Sequence, residues 1–169
     1  DLLHLQRAAT GRLNAARETH DVLHIQHHDD VAEIRMDRAP ANALDHALVE
    51  QLLGALDTVQ ASAARALILT GRPGMFSGGL DVPALIDCQR PEIERFWQLF
   101  FRLGCRLAAS PIPVIAALSG HAPAGGAVLA LQCDYRIGIN GNFKIGLNEV
   151  QVGLPVPGTI LLALTEVIG

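Results

Sequence analysis

The chain has 169 residues, of which 50% are hydrophobic and 18% are charged, enough for one globular domain with a hydrophobic core. Its formal net charge is -4 and its lysines and arginines form no cluster, which argues against nucleic acid as a partner. The apolar runs are too short for a transmembrane helix, so we expect no membrane partner.

The three cysteines, Cys88, Cys105 and Cys133, are widely spaced and form no CxxC pair. This spacing is typical of reduced, buried thiols rather than of a metal or redox site, so we expect no bound metal. No secretory signal is visible, and we expect a cytoplasmic location, or the mitochondrial matrix if the source is a eukaryote.

Two regions are expected along the chain. Residues 1–20 contain Arg7, Arg12 and Arg17 among alanines and leucines, which favours a helical N-terminal extension over an organelle-targeting segment. Residues 21–169 form one core domain, with no low-complexity linker inside it.

The first half of this domain begins with alternating apolar and polar residues over 22–26 and 31–37, which predict a β-hairpin. Its tip, residues 27–30, holds two histidines and two aspartates, but consecutive side chains point in different directions and make a poor metal site. Apolar residues at helical spacing predict a helix from Leu44, with Asn42 and Asp45 as candidate N-caps. A strand over 66–70 and a loop over 72–79 follow.

The second half continues with a short helix over 81–87 and a longer helix opening at Pro91. The longer helix carries an aromatic stripe, which we interpret as core. The other predicted elements are strands over 113–118, 135–139 and 143–145 and helices over 127–132 and 159–168. This order predicts an α/β fold with a mostly parallel, buried sheet and surrounding helices.

Two glycine turns, each placed between a strand and a helix, are the main candidates for chemistry. Gly78 and Gly79 form the first, and Gly125 and Gly126 form the second. Exposed backbone N–H groups at such turns can hold a developing oxyanion, although tight packing alone also explains a glycine before a helix. Neither turn matches a phosphate-binding pattern.

Glu149 is the candidate proton carrier, because it is a lone carboxylate in a largely apolar stretch. A surface glutamate is the alternative interpretation. Asp81 is either near the ligand or a helix cap, and Asp134 is near the site, a turn residue or a buried hydrogen-bond acceptor. His121 precedes the second glycine turn and either contacts a ligand or has a structural role. Ser77 and Ser119 lack a His/Asp relay, which argues against a serine hydrolase.

Three stretches together resemble the crotonase (enoyl-CoA hydratase/isomerase) superfamily, namely 76–81 (FSGGLD), 119–126 (SGHAPAGG) and 133–136 (CDYR). The resemblance runs from about Val22 to the end of the chain. It implies a spiral of ββα units in which the N–H groups of Leu80 and Gly125 hold a thioester carbonyl. It also implies an acyl-CoA substrate, with coenzyme A bound as part of the substrate rather than as a cofactor. The substrate-binding residues it implies are Ala39, Ala41, Ser77, Gly79, Asp81, Val82 and His121.

The acidic residues present at two positions of the family's active site indicate the subfamily. Hydratases of this family usually have two glutamates, but Val128 occupies the first position here and Glu149 matches the second. The chain therefore looks most like the mitochondrial-type Δ3,Δ2-enoyl-CoA isomerases, which convert 3-enoyl-CoA to 2-enoyl-CoA in fatty-acid degradation. The alternatives are a hydratase or other crotonase activity, and a non-catalytic acyl-CoA-binding homologue. Family members continue into C-terminal helices that are absent from these residues. The resemblance also implies a homotrimer or a dimer of trimers.

Overall fold

The structure is a computed structural model that describes residues 22–153 and 155–169. The predicted N-terminal extension over 1–20 lies outside the described residues. No helix in the described part of the chain is long and apolar enough to cross a membrane.

Strands and helices are interspersed along the chain, as the sequence predicts. The described residues form eight strands: β1 (Leu23–His28), β2 (Val31–Met36), β3 (Ala66–Thr70), β4 (Gly74–Met75), β5 (Val114–Leu118), β6 (Gly120–Pro123), β7 (Tyr135–Gly138) and β8 (Ile145–Gly146). They also form five α-helices and one 3-10 helix: α1 (His46–Gln60), α2 (Val82–Ile86), α3 (Arg90–Ala108), α4 (Gly125–Leu131), the 3-10 helix (Glu149–Val152) and α5 (Gly158–Ile168).

Two sheets organise these strands. The larger has the order β1-β2-β3-β5-β7, and only the β1–β2 hairpin in it is antiparallel. The smaller has the order β4-β6-β8 and is parallel throughout. The predicted α/β fold with a mostly parallel sheet is confirmed.

The core lies between the larger sheet and its helices. Alternate residues of β2 and β3, such as Ile34 and Leu67, are completely buried, as expected for strands packed on one face. Helices α1 and α3 pack against each other, and Phe96 of α3 is completely buried. The first glycine turn follows β4 and the second follows β6, and these two strands pair in the smaller sheet.

Several boundaries differ from the sequence prediction. Both histidines of the predicted hairpin tip belong to β1, so the turn contains only Asp29 and Asp30. Strands β4 and β6 were not predicted, because two residues and a Gly-His-Ala-Pro sequence carry little strand signal. Helix α3 begins at Arg90, so Pro91 is its second residue rather than its first.

The N-cap of α1 is Asp45, whose carboxylate accepts the N–H of Leu48 at 2.8 Å. Asn42, the other candidate cap, has a different role. It is completely buried, with a positive φ of 47°, and its side-chain amide bonds to three backbone carbonyls in two other segments of the chain.

The stretch 133–136 ties helix α4 to the larger sheet. The carboxylate of Asp134 accepts the N–H of Val114 at 2.7 Å, as one of its interpretations proposed. Arg136 donates to the carbonyls of Cys133 and Ala130 at the end of α4, at 2.6 and 3.2 Å. This arrangement fixes α4, and with it the second glycine turn, against β5.

Only Cys133 is buried, which corrects the expectation of three buried thiols: Cys88 is half-buried and Cys105 is exposed. Burial raises the pKa of the Cys133 thiol to about 12, opposed by the nearby Arg136. Thiolate is the reactive form, so Cys133 should resist alkylation at pH 8.5 while Cys105 reacts. Mass spectrometry after iodoacetamide treatment checks this, and labelling of Cys133 in the folded protein at the rate of Cys105 would contradict it.

Candidate active site

The two glycine turns lie against each other. A Cβ atom added to Gly79 would lie 3.1 Å from the backbone nitrogen of Gly125, and one added to Gly125 would lie 3.2 Å from Cα of Gly79. Gly126 packs still closer to the first turn, because its Cβ would lie 2.4 Å from the carbonyl oxygen of Ser77. Side chains at these positions would force the turns apart, which explains the glycines physically.

The N–H of Leu80 points away from the neighbouring loop. Leu80 forms an isolated parallel bridge with Leu44, in which Leu44 donates to the carbonyl of Gly79 and accepts from the N–H of Asp81, at 2.8 and 2.9 Å. These bonds use the groups on either side of the Leu80 nitrogen. Within the described part of the chain, the N–H of Leu80 has no hydrogen-bond acceptor.

The N–H of Gly125 is free for a geometric reason. Gly125 is the first residue of α4, and the first N–H groups of a helix have no intrahelical acceptor. The preceding residue, Ala124, has a φ of 46° and turns the chain sharply into the helix. No acceptor for the Gly125 N–H lies among the described residues.

Leu80 and Gly125 line one cavity of about 280 Å³. Val128 and Glu149 line the same cavity. Its remaining walls are apolar and come from α3, from the segment that precedes α5 and from α5 itself: Trp97, Phe100, Phe101, Pro155, Pro157 and Ile160. Glu149 is the only ionisable side chain among the described lining residues. The structure therefore brings together the residues of the predicted oxyanion hole, the predicted proton carrier and the inert valine.

Glu149 opens the 3-10 helix that follows β8. Its Oε2 atom is buried and has no hydrogen-bond partner among the described residues. A buried polar atom without a partner is costly, and a catalytic role is one reason for a protein to keep such an atom. This placement differs from that of a surface glutamate, which was the alternative interpretation.

The predicted coenzyme A residues lie beside the first turn. Ala39 is exposed, and Ala41 is half-buried with its carbonyl accepting the N–H of Gly78 at 2.7 Å. Asp81 caps α2 by accepting the N–H of Ala84 at 3.2 Å, so the capping role is observed. Val82 is 45% exposed at the start of that helix. Their contacts with substrate stay a prediction.

Ser77 and His121 point elsewhere. Ser77 is completely buried and its hydroxyl bonds only to backbone groups in the described region. His121 accepts the N–H of Lys144 through Nδ1 at 2.9 Å and packs edge-on against Phe143, and neither residue lines the cavity. These contacts fit the structural interpretation of His121.

The sequence did not identify the aromatic wall as part of the site. The stripe on α3 was interpreted as core, and Phe100 is indeed 3% exposed. Trp97, Phe100 and Phe101 nevertheless face the cavity. Helical periodicity shows which residues share a face, but it does not show whether that face meets another element or an empty space.

No group of three or more His, Cys, Asp or Glu side chains in the described ranges could hold a metal ion. The site therefore offers backbone donors, one carboxylate and apolar walls. That combination can bind a carbonyl compound with an apolar tail and move a proton beside the carbonyl.

The chain is similar in sequence to proteins of known family. The chain is 34% identical over 142 residues to human mitochondrial enoyl-CoA delta isomerase 1, a match covering 82% of this chain and 47% of that protein. It is also 34% identical over 140 residues to a probable enoyl-CoA hydratase of Mycobacterium avium, covering 82% of this chain and 54% of that protein. The chain thus spans about half the length of the curated relatives it matches.

The chain is also similar to solved structures of this kind. Human mitochondrial delta3-delta2-enoyl-CoA isomerase superposes with a TM-score of 0.80 at 31% identity, over 85% of this chain and 57% of that one. An enoyl-CoA hydratase/isomerase family protein from Pseudomonas syringae gives 0.81 at 33% identity, over 86% and 63%. Residues 26–169 match the family described as enoyl-CoA hydratase/isomerase. The chain therefore belongs to the enoyl-CoA hydratase/isomerase family, the crotonase superfamily that its glycine turns resemble.

Proposed function

We propose that this chain carries the active site of an enoyl-CoA isomerase that converts 3-enoyl-CoA to 2-enoyl-CoA. One observation carries the proposal. The buried, unpartnered Oε2 of Glu149 lies in the same apolar cavity as Leu80 and Gly125, and Val128 lines this cavity at the position where a hydratase would have its first glutamate.

The proposed reaction uses the N–H groups of Leu80 and Gly125 as an oxyanion hole. The thioester oxygen accepts both N–H groups while the Glu149 carboxylate removes a proton from C2. The electron pair of the C–H bond moves towards the thioester oxygen and gives a dienolate, which the two donors stabilise. Protonated Glu149 then returns the proton to C4, and the double bond moves from C3–C4 to C2–C3.

A single carboxylate is enough for this reaction. Hydration requires a positioned water as well as proton delivery, a task for which two carboxylates are suited. Val128 is 5% exposed and cannot move a proton, so this part of the cavity wall supplies no second carboxylate for hydration. Electrostatic interactions are stronger beside apolar walls than in bulk water, which favours the interaction of the two N–H donors with developing charge.

The names of the relatives include both activities. The human relative is named an isomerase and the Mycobacterium avium relative a probable hydratase, at the same 34% identity. The acid content of the cavity favours the isomerase. A role in fatty-acid degradation, a homotrimeric or dimer-of-trimers assembly, and coenzyme A as part of the substrate belong to the same proposal.

Parallel assays of the full gene product with 3-enoyl-CoA and 2-enoyl-CoA test the proposal. We expect 3-enoyl-CoA to become 2-enoyl-CoA with little 3-hydroxyacyl-CoA formed from either substrate, as followed by chromatography. Rapid hydration of 2-enoyl-CoA would contradict the isomerase and favour a hydratase. Acyl-CoA binding without conversion of either substrate would favour a non-catalytic homologue.

A further inference from the structure

The loop 38–44 forms hydrogen bonds with the first glycine turn. We infer that Asn42 and Ser77 are positioning residues that aim the N–H of Leu80 into the cavity, an inference that rests on the proposed function. Both are completely buried polar residues, and neither lines the cavity.

Asn42 joins the loop to the strand that leads into the turn. Its side-chain NH2 group donates to the carbonyls of Met36, Met75 and Phe76, at 3.1, 3.2 and 3.0 Å. Its side-chain oxygen accepts the N–H of Arg38 at 2.7 Å. With both ends satisfied, this one amide fixes the position of the loop relative to the end of β4.

Ser77 links the loop 38–44 to the first glycine turn by hydrogen bonds. Its hydroxyl donates to the carbonyl of Asn42 at 2.8 Å and accepts the N–H of Gly79 at 3.2 Å. The hydroxyl therefore sits between the loop backbone and the residue just before Leu80. Removing it would leave a buried carbonyl and a buried N–H without these partners.

The geometry of the peptide between Gly79 and Leu80 determines the direction of the Leu80 N–H. The carbonyl of Gly79 and the N–H of Leu80 belong to one planar trans peptide, in which the two groups point in opposite directions. That carbonyl accepts the N–H of Leu44, in the same loop, at 2.8 Å. Because the loop holds the carbonyl on its own side, the N–H of Leu80 must point towards the opposite side, where the cavity lies.

A rotation of this peptide would misdirect the donor without changing any group that faces the substrate. Ser77→Ala removes one oxygen atom and adds no bulk, so the fold should survive. We expect kcat to fall about tenfold to a hundredfold while KM stays nearly constant, because the loss affects the enolate more than the ground state.

Ser62→Ala provides the matched control. The Ser62 hydroxyl donates to the carbonyl of Val59 at 2.7 Å and accepts the N–H of Ala64 at 3.1 Å, the same pattern in a turn outside the cavity. We expect this variant to keep the wild-type kcat and KM. Asn42→Gly is a second probe, because glycine tolerates the positive φ while the side-chain bonds are lost.

Infrared spectroscopy measures how strongly the N–H donors polarise a bound thioester carbonyl. With hexanoyl-CoA labelled with 13C at the thioester carbonyl, binding to wild type should lower the carbonyl frequency. In Ser77→Ala the frequency should move back towards the free value, and in Ser62→Ala it should not. A folded Ser77→Ala protein with unchanged kcat and carbonyl frequency, or with raised KM alone, would overturn the inference.

These readouts separate the two proposals. If wild type polarises the carbonyl but does not isomerise 3-enoyl-CoA, the proposed function fails, and the loss of polarisation in Ser77→Ala still supports positioning. If wild type isomerises and Ser77→Ala behaves like wild type, only the positioning inference fails. If wild type neither polarises the carbonyl nor turns over substrate, both fail.

Discussion

Replacing Glu149 with Gln should lower the kcat for 3-enoyl-CoA isomerisation by about 10²- to 10⁴-fold, the usual contribution of a general base. Glutamine keeps the size of the side chain but cannot accept the proton from C2. Since Glu149 is the only ionisable side chain among the described residues that line the cavity, no other wall residue can replace it. Steady-state kinetics with 3-enoyl-CoA measures the effect.

Binding should survive this change. The walls and the two N–H donors are unaltered, so the Kd of a saturated acyl-CoA, measured by calorimetry, should stay close to wild type. Glu166→Gln is the control, because Glu166 is an exposed glutamate of α5 outside the cavity lining. Full turnover by Glu149→Gln would exclude Glu149 as the proton carrier.

The second large effect is expected for Gly79→Ala. The new methyl group would lie 3.1 Å from the nitrogen of Gly125 and 3.2 Å from Cβ of Ala124, so it would crowd one proposed donor and disturb the peptide that carries the other. Removing one oxyanion-hole donor typically costs about 10²- to 10³-fold in kcat. We expect a loss of at least that size in turnover of 3-enoyl-CoA.

Gly74→Ala separates crowding from backbone strain. Both glycines have positive φ, 90° at Gly79 and 81° at Gly74, so each alanine variant should lose about 1–2 kcal/mol in the free energy of unfolding. A Cβ on Gly74, however, would meet nothing within 4 Å. Chemical denaturation and kcat together decide the matter: equal losses of activity in both variants would show that strain, and not crowding of the donors, is responsible.

The sequence allowed both glycine turns and Glu149 to be predicted, because each depends on local signals. Strand, glycine and helix patterns follow one another within about 15 residues at each turn. The contact between Gly79 and Gly125 is different, since it joins residues far apart in the chain, beyond the ends of β4 and β6, which pair in the smaller sheet. A family resemblance, not a pattern in the residues themselves, related the two turns.

The errors have equally specific causes. Asn42 was a reasonable N-cap candidate, because Asn before a helix often has that role, but three backbone carbonyls from other segments bind its amide instead. Strand β6 was missed because its pairing with β4 and β8, rather than its own residues, makes it a strand. Tertiary partners that decide such cases are not visible in a linear sequence.

In the proposed reaction, the Glu149 carboxylate moves one hydrogen from C2 to C4 of the substrate. The most direct measurement uses 3-enoyl-CoA with deuterium at C2 and follows the label in early product by mass spectrometry and NMR. Because the cavity is apolar and Oε2 of Glu149 is buried, part of the deuterium should reach C4 before it exchanges with water. Product whose C4 hydrogen comes entirely from solvent, even in the first turnovers, would contradict transfer by Glu149 alone.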